Sequence, residues 1–225
     1  MGELILCSHP IAAMPYYIDN ISLNVYSLEE LCYYIENHLY LIEADFMSEE
    51  LCLWIGQELD EKDLAQSLRS VLLGNGSLSD FTELILRSCG YCSEDTIRHI
   101  RSVLLDMQNK SVFECSKIRA DRYMESEKYV KAIHEYRKLL GMEEECKKNP
   151  VLEGNIRHNL GTACAELFLF DEAAANFLNA YRLNQNRESL AACMAACRLA
   201  KKTDILKKYK EEFHVSDEAF KSMSD

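Results

Sequence analysis

Proline is rare in this chain and placed where it interferes least with helices. Pro10 and Pro15 lie near the N-terminus, Pro150 stands alone, and nothing between Tyr16 and Asn149 forbids a helix. A proline inside a helix removes a hydrogen bond and clashes with the turn before it, so a long proline-free stretch favours helical packing. Only 8 Gly and 3 Pro interrupt the 225 residues, and 48% are hydrophobic. That composition excludes a disordered chain and predicts a packed, mainly α protein.

Residues 1–26 differ from the rest of the chain. "ELILC" and "ISLNVY" are short apolar or alternating runs, with Ile21, Leu23 and Val25 on one face of the second. They predict one or two short strands, joined through "SHPIAAMPYYIDN" with its Asp-Asn turn signal. Helices begin at "YSLEELCYYIENHL", where Ser27 and Glu30 have capping-box spacing. "SEELCLWIGQEL" carries the single tryptophan, Trp54, and "EKDLAQSLRSVLL" stops at Gly74 and Gly76. Ser79 is positioned to cap "DFTELILRS" and Ser93 to cap "EDTIRHIRSVLLDMQ", whose Ile97, Ile100, Val103, Leu104 and Met107 repeat at helical spacing. From "NKSVFECSK" onward the pattern changes to paired helices, which sets a boundary near Asn109: a mostly helical domain with a short β segment over 1–109 and a helical domain over 110–225.

The net charge is -12, from 37 acidic and 25 basic residues. A field of that sign repels phosphate backbones, so no nucleic-acid partner is expected, and the Lys-rich "KKTDILKKYK" reads as a solvated helix face. No run approaches the roughly 18 apolar residues of a membrane-spanning helix, and "MGELILCSHP" lacks the basic start of a secretion signal. Cys32, Cys52, Cys164, Cys193 and Cys197 sit in apolar helical patterns, as reduced thiols do. A cytoplasmic protein without membrane contact is the expectation.

"SCGYCS", residues 88–93, raises the one question of redox chemistry. Cys89 and Cys92 have C-x-x-C spacing, and a thiol near a helix N-terminus tends toward a lower pKa. Each residue also has a structural use. Cys89 follows Phe81 and Ile85 on an apolar face, Gly90 suits a helix C-cap, and Cys92 precedes the Ser93 cap one turn before Ile97. A dithiol oxidoreductase would need a strand running into the motif, and a helix precedes it here. One C-x-x-C supplies two zinc ligands, without a second pair at matching spacing. No nucleotide, hydrolase or metalloprotease motif is present. No catalytic residue, metal ligand or cofactor is therefore predicted.

The most specific pattern is "HNLGTACAELFLFDEAAANFLNAYRLNQN", residues 158–186. Leu160-Gly161, then Ala173 and Phe177 in A-x3-F spacing, then Ala180, mark two helices that approach closely. Upstream, Ala120, Tyr123, Ala132 and Tyr136 repeat the arrangement. Gly161 to Ala173 and Ala120 to Ala132 share an offset of 12 residues, while Ala132 and Ala173 lie 41 apart, with "GMEEECKKNPVLEG" as the surplus connection. These residues resemble a tetratricopeptide repeat, whose pattern is W-x2-L-G-x2-Y, then A-x3-F, then Pro; Arg157, Cys164 and Gln185 depart from it. A third unit is half present, with Ala195 at the glycine position, Lys207 at the small-residue position, and "DILKKYKEEF" as a terminal capping helix. The resemblance covers residues 116–213.

The resemblance implies an α-α superhelical stack that binds a peptide or partner protein in the concave groove of its first helices. Groove residues would be Lys117, Asp121 and Met124 in the first unit, and Asn155, His158, Asn159, Thr162 and Glu166 in the second. Lys117 and Asn159 match two positions of the family's carboxylate clamp; Asp121, Ser189 and Cys193 do not. The expected function is a non-enzymatic adaptor, able to form a homodimer through the open end of its stack. The competing readings are a thiol oxidoreductase using Cys89 and Cys92, and a regulatory domain that senses a small ligand between the halves.

Overall fold

The computed structural model describes residues 8–216. It is mainly α, with one short antiparallel sheet near the N-terminus. The chain divides into two compact units, 1–110 and 111–225.

In the first unit β1 (Tyr16–Ile18) pairs with β2 (Leu23–Val25), Tyr16 opposite Val25. The Asp-Asn signal does form the turn: Asp19–Ile21 make one 3-10 turn, and Ser22 takes φ 55. Asn20 then donates to the Tyr34 hydroxyl at 2.7 Å and to the Leu41 carbonyl at 2.8 Å. β2 falls within "ISLNVY", as the alternation predicts. Its partner is "YYI", in the stretch that reads as a connection; the other predicted strand, "ELILC", lies outside the described residues.

Helices α1 (Leu28–Asn37), α2 (Glu49–Gln57), α3 (Lys62–Leu73), α4 (Leu78–Cys89) and α5 (Glu94–Asn109) come next. Ser27 caps α1 by accepting from the Glu30 N–H, while the Glu30 carboxylate takes the N–H of Tyr26, one residue earlier than a standard capping box. The cap of α4 is Ser77, not Ser79: Ser77 and Asp80 form the reciprocal box, and Ser79 is buried. Starting two residues earlier places Ser79 inside the helix. Ser93 caps α5, and Gly90 ends α4 at φ 66. Leu31, Ile35, Leu51, Ile55, Leu68, Phe81, Ile85 and Leu86 are buried completely. α2 and α3 come close where Gly56 faces Ala65, with room for a Cβ only at 3.0 Å from the alanine methyl.

The second unit is a run of helix pairs: α6 (Val112–Glu125) with α7 (Tyr129–Gly141), α9 (Pro150–Glu166) with α10 (Phe170–Asn184), and α11 (Arg187–Leu199) with α12 (Thr203–Glu212). The surplus between the first two pairs contains a short helix, α8 (Glu143–Lys148), and Pro150 stands in the first turn of α9, where its missing N–H costs nothing. Ala120, Ala132, Tyr136, Ala173 and Ala180 are fully buried where the paired helices meet. A Cβ on Gly161 would sit 2.8 Å from the Phe177 ring, and one on Gly154 would sit 2.9 Å from Asn184 Cβ and 3.1 Å from the Ala180 carbonyl.

One turn closes all three pairs. Glu127, Phe168 and Lys201 take φ 58, 61 and 58, and the next residue's N–H returns to a carbonyl of the first helix: Lys128 to Tyr123, Leu169 to Cys164, Lys202 to Cys197, at 2.8–2.9 Å. This turn sets the register of the third pair. Gly161 and Ala120 both lie seven residues before the left-handed residue, so their counterpart is Met194, not Ala195, and Leu206, not Lys207, takes the small-residue position. Met194 is buried, and Leu206, Tyr209 and Phe213 pack against it. Larger side chains meet at this crossing, and α12 has no buried residue.

Candidate functional site

In the second unit the first helices of successive pairs are linked by side chains that the sequence assigns to a groove. Lys117 pairs with Asp121 one turn along α6. The other Asp121 oxygen accepts from the Tyr136 hydroxyl of α7 at 2.7 Å and from the Asn159 amide of α9 at 3.4 Å. That amide also lies 3.3 Å from the Tyr136 oxygen. Burial and then the Asp121 carboxylate push the Tyr136 hydroxyl far above the ordinary range. It therefore stays protonated and donates.

His158 bridges to the third pair. Its Nδ1 lies 2.9 Å from the hydroxyl of buried Ser189 on α11, and its ring packs on Phe177 at 5.2 Å. Burial lowers its pKa, with Glu188 opposing, so the ring is neutral at neutral pH. Thr162 turns its hydroxyl to the His158 carbonyl at 3.2 Å, and exposed Asn155 accepts from Asn184 of α10 at 3.0 Å. Half-buried Met124 and exposed Glu166 stand outside this network. Lys117, Asp121 and Asn159 are thus brought together, and His158 joins Ser189. Tyr136 completes the set; its A-x3-aromatic position reads from sequence as packing alone. A cleft of about 260 Å³ elsewhere in this unit is lined by Asp171, Ala174, Ala175, Cys197, Lys202, Ile205 and Tyr209, none of them a predicted groove residue.

The first unit brings a different group together. Glu29, in the first turn of α1, is only 3% exposed. Its Oε1 accepts from the Ser8 N–H at 2.7 Å, the Ser8 hydroxyl at 3.0 Å, the His9 N–H at 3.1 Å and His9 Nδ1 at 2.8 Å. Burial alone would raise this carboxyl, but those donors outweigh it and hold the pKa at about 2. The bond to Glu29 raises the His9 pKa in turn. Beside them lies Cys89, and ligand atoms of His9, Glu29 and Cys89 all fall within 4.8 Å of one another. The Cys32 thiol, one turn along α1 from Glu29, donates to the Ile85 carbonyl at 3.8 Å, and its interaction with Cys89 lowers the Cys89 pKa and raises its own. Burial, then Glu36 and Cys89, push the Cys92 thiol up to about 11, so it is protonated at neutral pH.

Local spacing could not reveal this cluster, because its members come from the segment before β1, from α1 and from the end of α4. The one local signal is Glu29 and Cys32, three apart on one helix face. Comparison with family models, with curated proteins and with solved structures finds no match to the chain.

Proposed function

We propose that the second unit is a non-enzymatic interaction module, an adaptor or scaffold of tetratricopeptide-repeat type, that binds a peptide or a partner protein along α6, α9 and α11. The observation that carries this reading is the pair of cross-links between those helices, Asp121 with Asn159 and His158 with Ser189. They hold first helices side by side, and a continuous groove requires that arrangement. The inward part of each link stiffens the wall, while Asn155, Thr162, Glu166 and Met124 remain to contact a ligand. Lys117 is neutralised by Asp121, so Glu166 leaves the surface with an excess of negative charge. A basic or polar segment is the complementary partner, and nucleic acid is disfavoured. The setting proposed is the cytoplasm, in keeping with reduced thiols; among the described residues no helix is long and apolar enough to cross a membrane.

The test is capture from lysate of the source cells, comparing wild type with Asn155→Ala/Glu166→Ala. Both side chains are exposed, so the fold is expected to survive. A partner retained by wild type, lost at least about tenfold in the variant and weakened by salt supports the groove. A partner indifferent to the variant and to salt would remove it. Substituting Lys117, Asp121 or Asn159 is a poorer test, since each belongs to the wall's own network.

A further inference from the structure

We propose that His9, Glu29 and Cys89 bind one divalent transition-metal ion of zinc type, with the fourth position left to solvent. The donor set argues first. An imidazole, a carboxylate and thiols are the ligands zinc takes, whereas magnesium and calcium take oxygen alone. Geometry agrees: the three ligand atoms lie within 4.8 Å of one another, and ligands around a tetrahedral zinc stand roughly 3.3–3.8 Å apart, given its bond lengths. A contraction of about an ångström closes the site. His9 belongs to the segment before β1 and is only half-buried, so its ring can follow the ion without disturbing the core.

The second observation is independent of that spacing. Glu29 Oε2 is buried without a hydrogen-bond partner, although Oε1 of the same carboxylate has four donors. An ionised carboxylate oxygen left alone in the interior is costly, and such orphans in native structures call for an ion or another partner. Oε1 anchors the carboxylate to the Ser8–His9 backbone, which leaves Oε2 to face a cation. Metal uptake displaces the Cys89 thiol proton to solvent, with Glu29 binding as carboxylate and His9 through an unprotonated nitrogen of the neutral ring. The ion would tie the N-terminal segment to α1 and α4.

The experiment uses the full chain, stripped of metal under reducing conditions and titrated with zinc chloride, and separately with cobalt chloride as a spectroscopic probe. One zinc per chain is expected by elemental analysis, and bound cobalt should show thiolate charge-transfer bands in the near-ultraviolet. Affinity should fall at least about 100-fold in Glu29→Gln, Cys89→Ser and His9→Gln, and stay unchanged in Cys92→Ser and in Cys193→Ser/Cys197→Ser. His9→Gln guards against misfolding, because its metal-free form should keep the wild-type circular dichroism spectrum while its zinc-dependent rise in melting temperature is lost. Wild type that takes up no stoichiometric zinc would overturn the proposal. So would cobalt without thiolate bands, or uptake that survives in His9→Gln and Cys89→Ser.

Discussion

Gly161 shows how one missing side chain governs a helix crossing. Its place in α9 would ordinarily favour alanine by up to about 1 kcal/mol. A Cβ there meets the Phe177 ring at 2.8 Å. That ring also packs on His158 of α9, and Phe177 is only 4% exposed, so it cannot yield. Overpacking a filled site costs about 1–3 kcal/mol, so the clash wins. Gly161→Ala is expected to destabilise by about 1 kcal/mol in urea unfolding. Gly141→Ala, with nothing within 4 Å of its would-be Cβ, should instead stabilise by about 0.5 kcal/mol. Equal signs for the two would refute the close-approach account. His158 offers a second test at this scale. Its folded pKa lies below its ordinary value of 6.5. As pH falls through that value the unfolded chain takes up the proton first, so this residue's contribution is full above 6.5 and declines below it. Between pH 7.5 and pH 5, wild type should lose more stability than His158→Gln; equal losses would mean the ring is not held neutral.

The elements that could be read from sequence are those whose logic is local. The proline-free stretch, the Ser93 cap and the Gly90 stop each depend on a few adjacent residues, and each forms as predicted. So do the Ala-and-Gly crossings of the first two helix pairs, because a small residue opposite an aromatic carries its own packing instruction. The misses have one cause in common: the deciding residue is not the type that normally carries the signal. The turns closing the three pairs use Glu127, Phe168 and Lys201 in the left-handed region, where glycine would have marked the place. With no such marker at Lys201, and with Met194 in place of a small residue, the third pair reads one residue out of register. α8 is six residues, EEECKK, with too little apolar periodicity to announce itself. β1 hides in "YYI" because two turn-forming residues, not an alternating pattern, bring it onto β2. The proposed groove rests on resemblance, and the Glu29 cluster was not legible, since spatial neighbours drawn from three segments leave no spacing to find.

At the scale of the molecule, the two units rest on different kinds of order. The first has a closed core, in which α1 to α4 bury complete leucine, isoleucine and phenylalanine side chains around a short hairpin. The second is quasi-linear: each helix packs chiefly on its neighbours in sequence, so its stability is a sum of neighbouring interfaces. The sum is uneven, densest where α9 meets α10 and weakest at α12, which buries no residue. At that thin end Tyr181 and Phe213 meet edge to face, and Tyr209 is tilted against Phe213. Each unit, at about 110 residues, is within the size range of an independently folding domain. Residues 1–110 and 111–225 produced separately are therefore expected to unfold cooperatively, and their summed circular dichroism should reproduce that of the full chain. The closed core should melt in a single sharp transition. The stack should begin to exchange amide protons in α12 well below its melting temperature, since the last interface is the thinnest. A second fragment that melts gradually, or that exchanges α12 no faster than α10, would mean that its order depends on more than its own neighbouring interfaces.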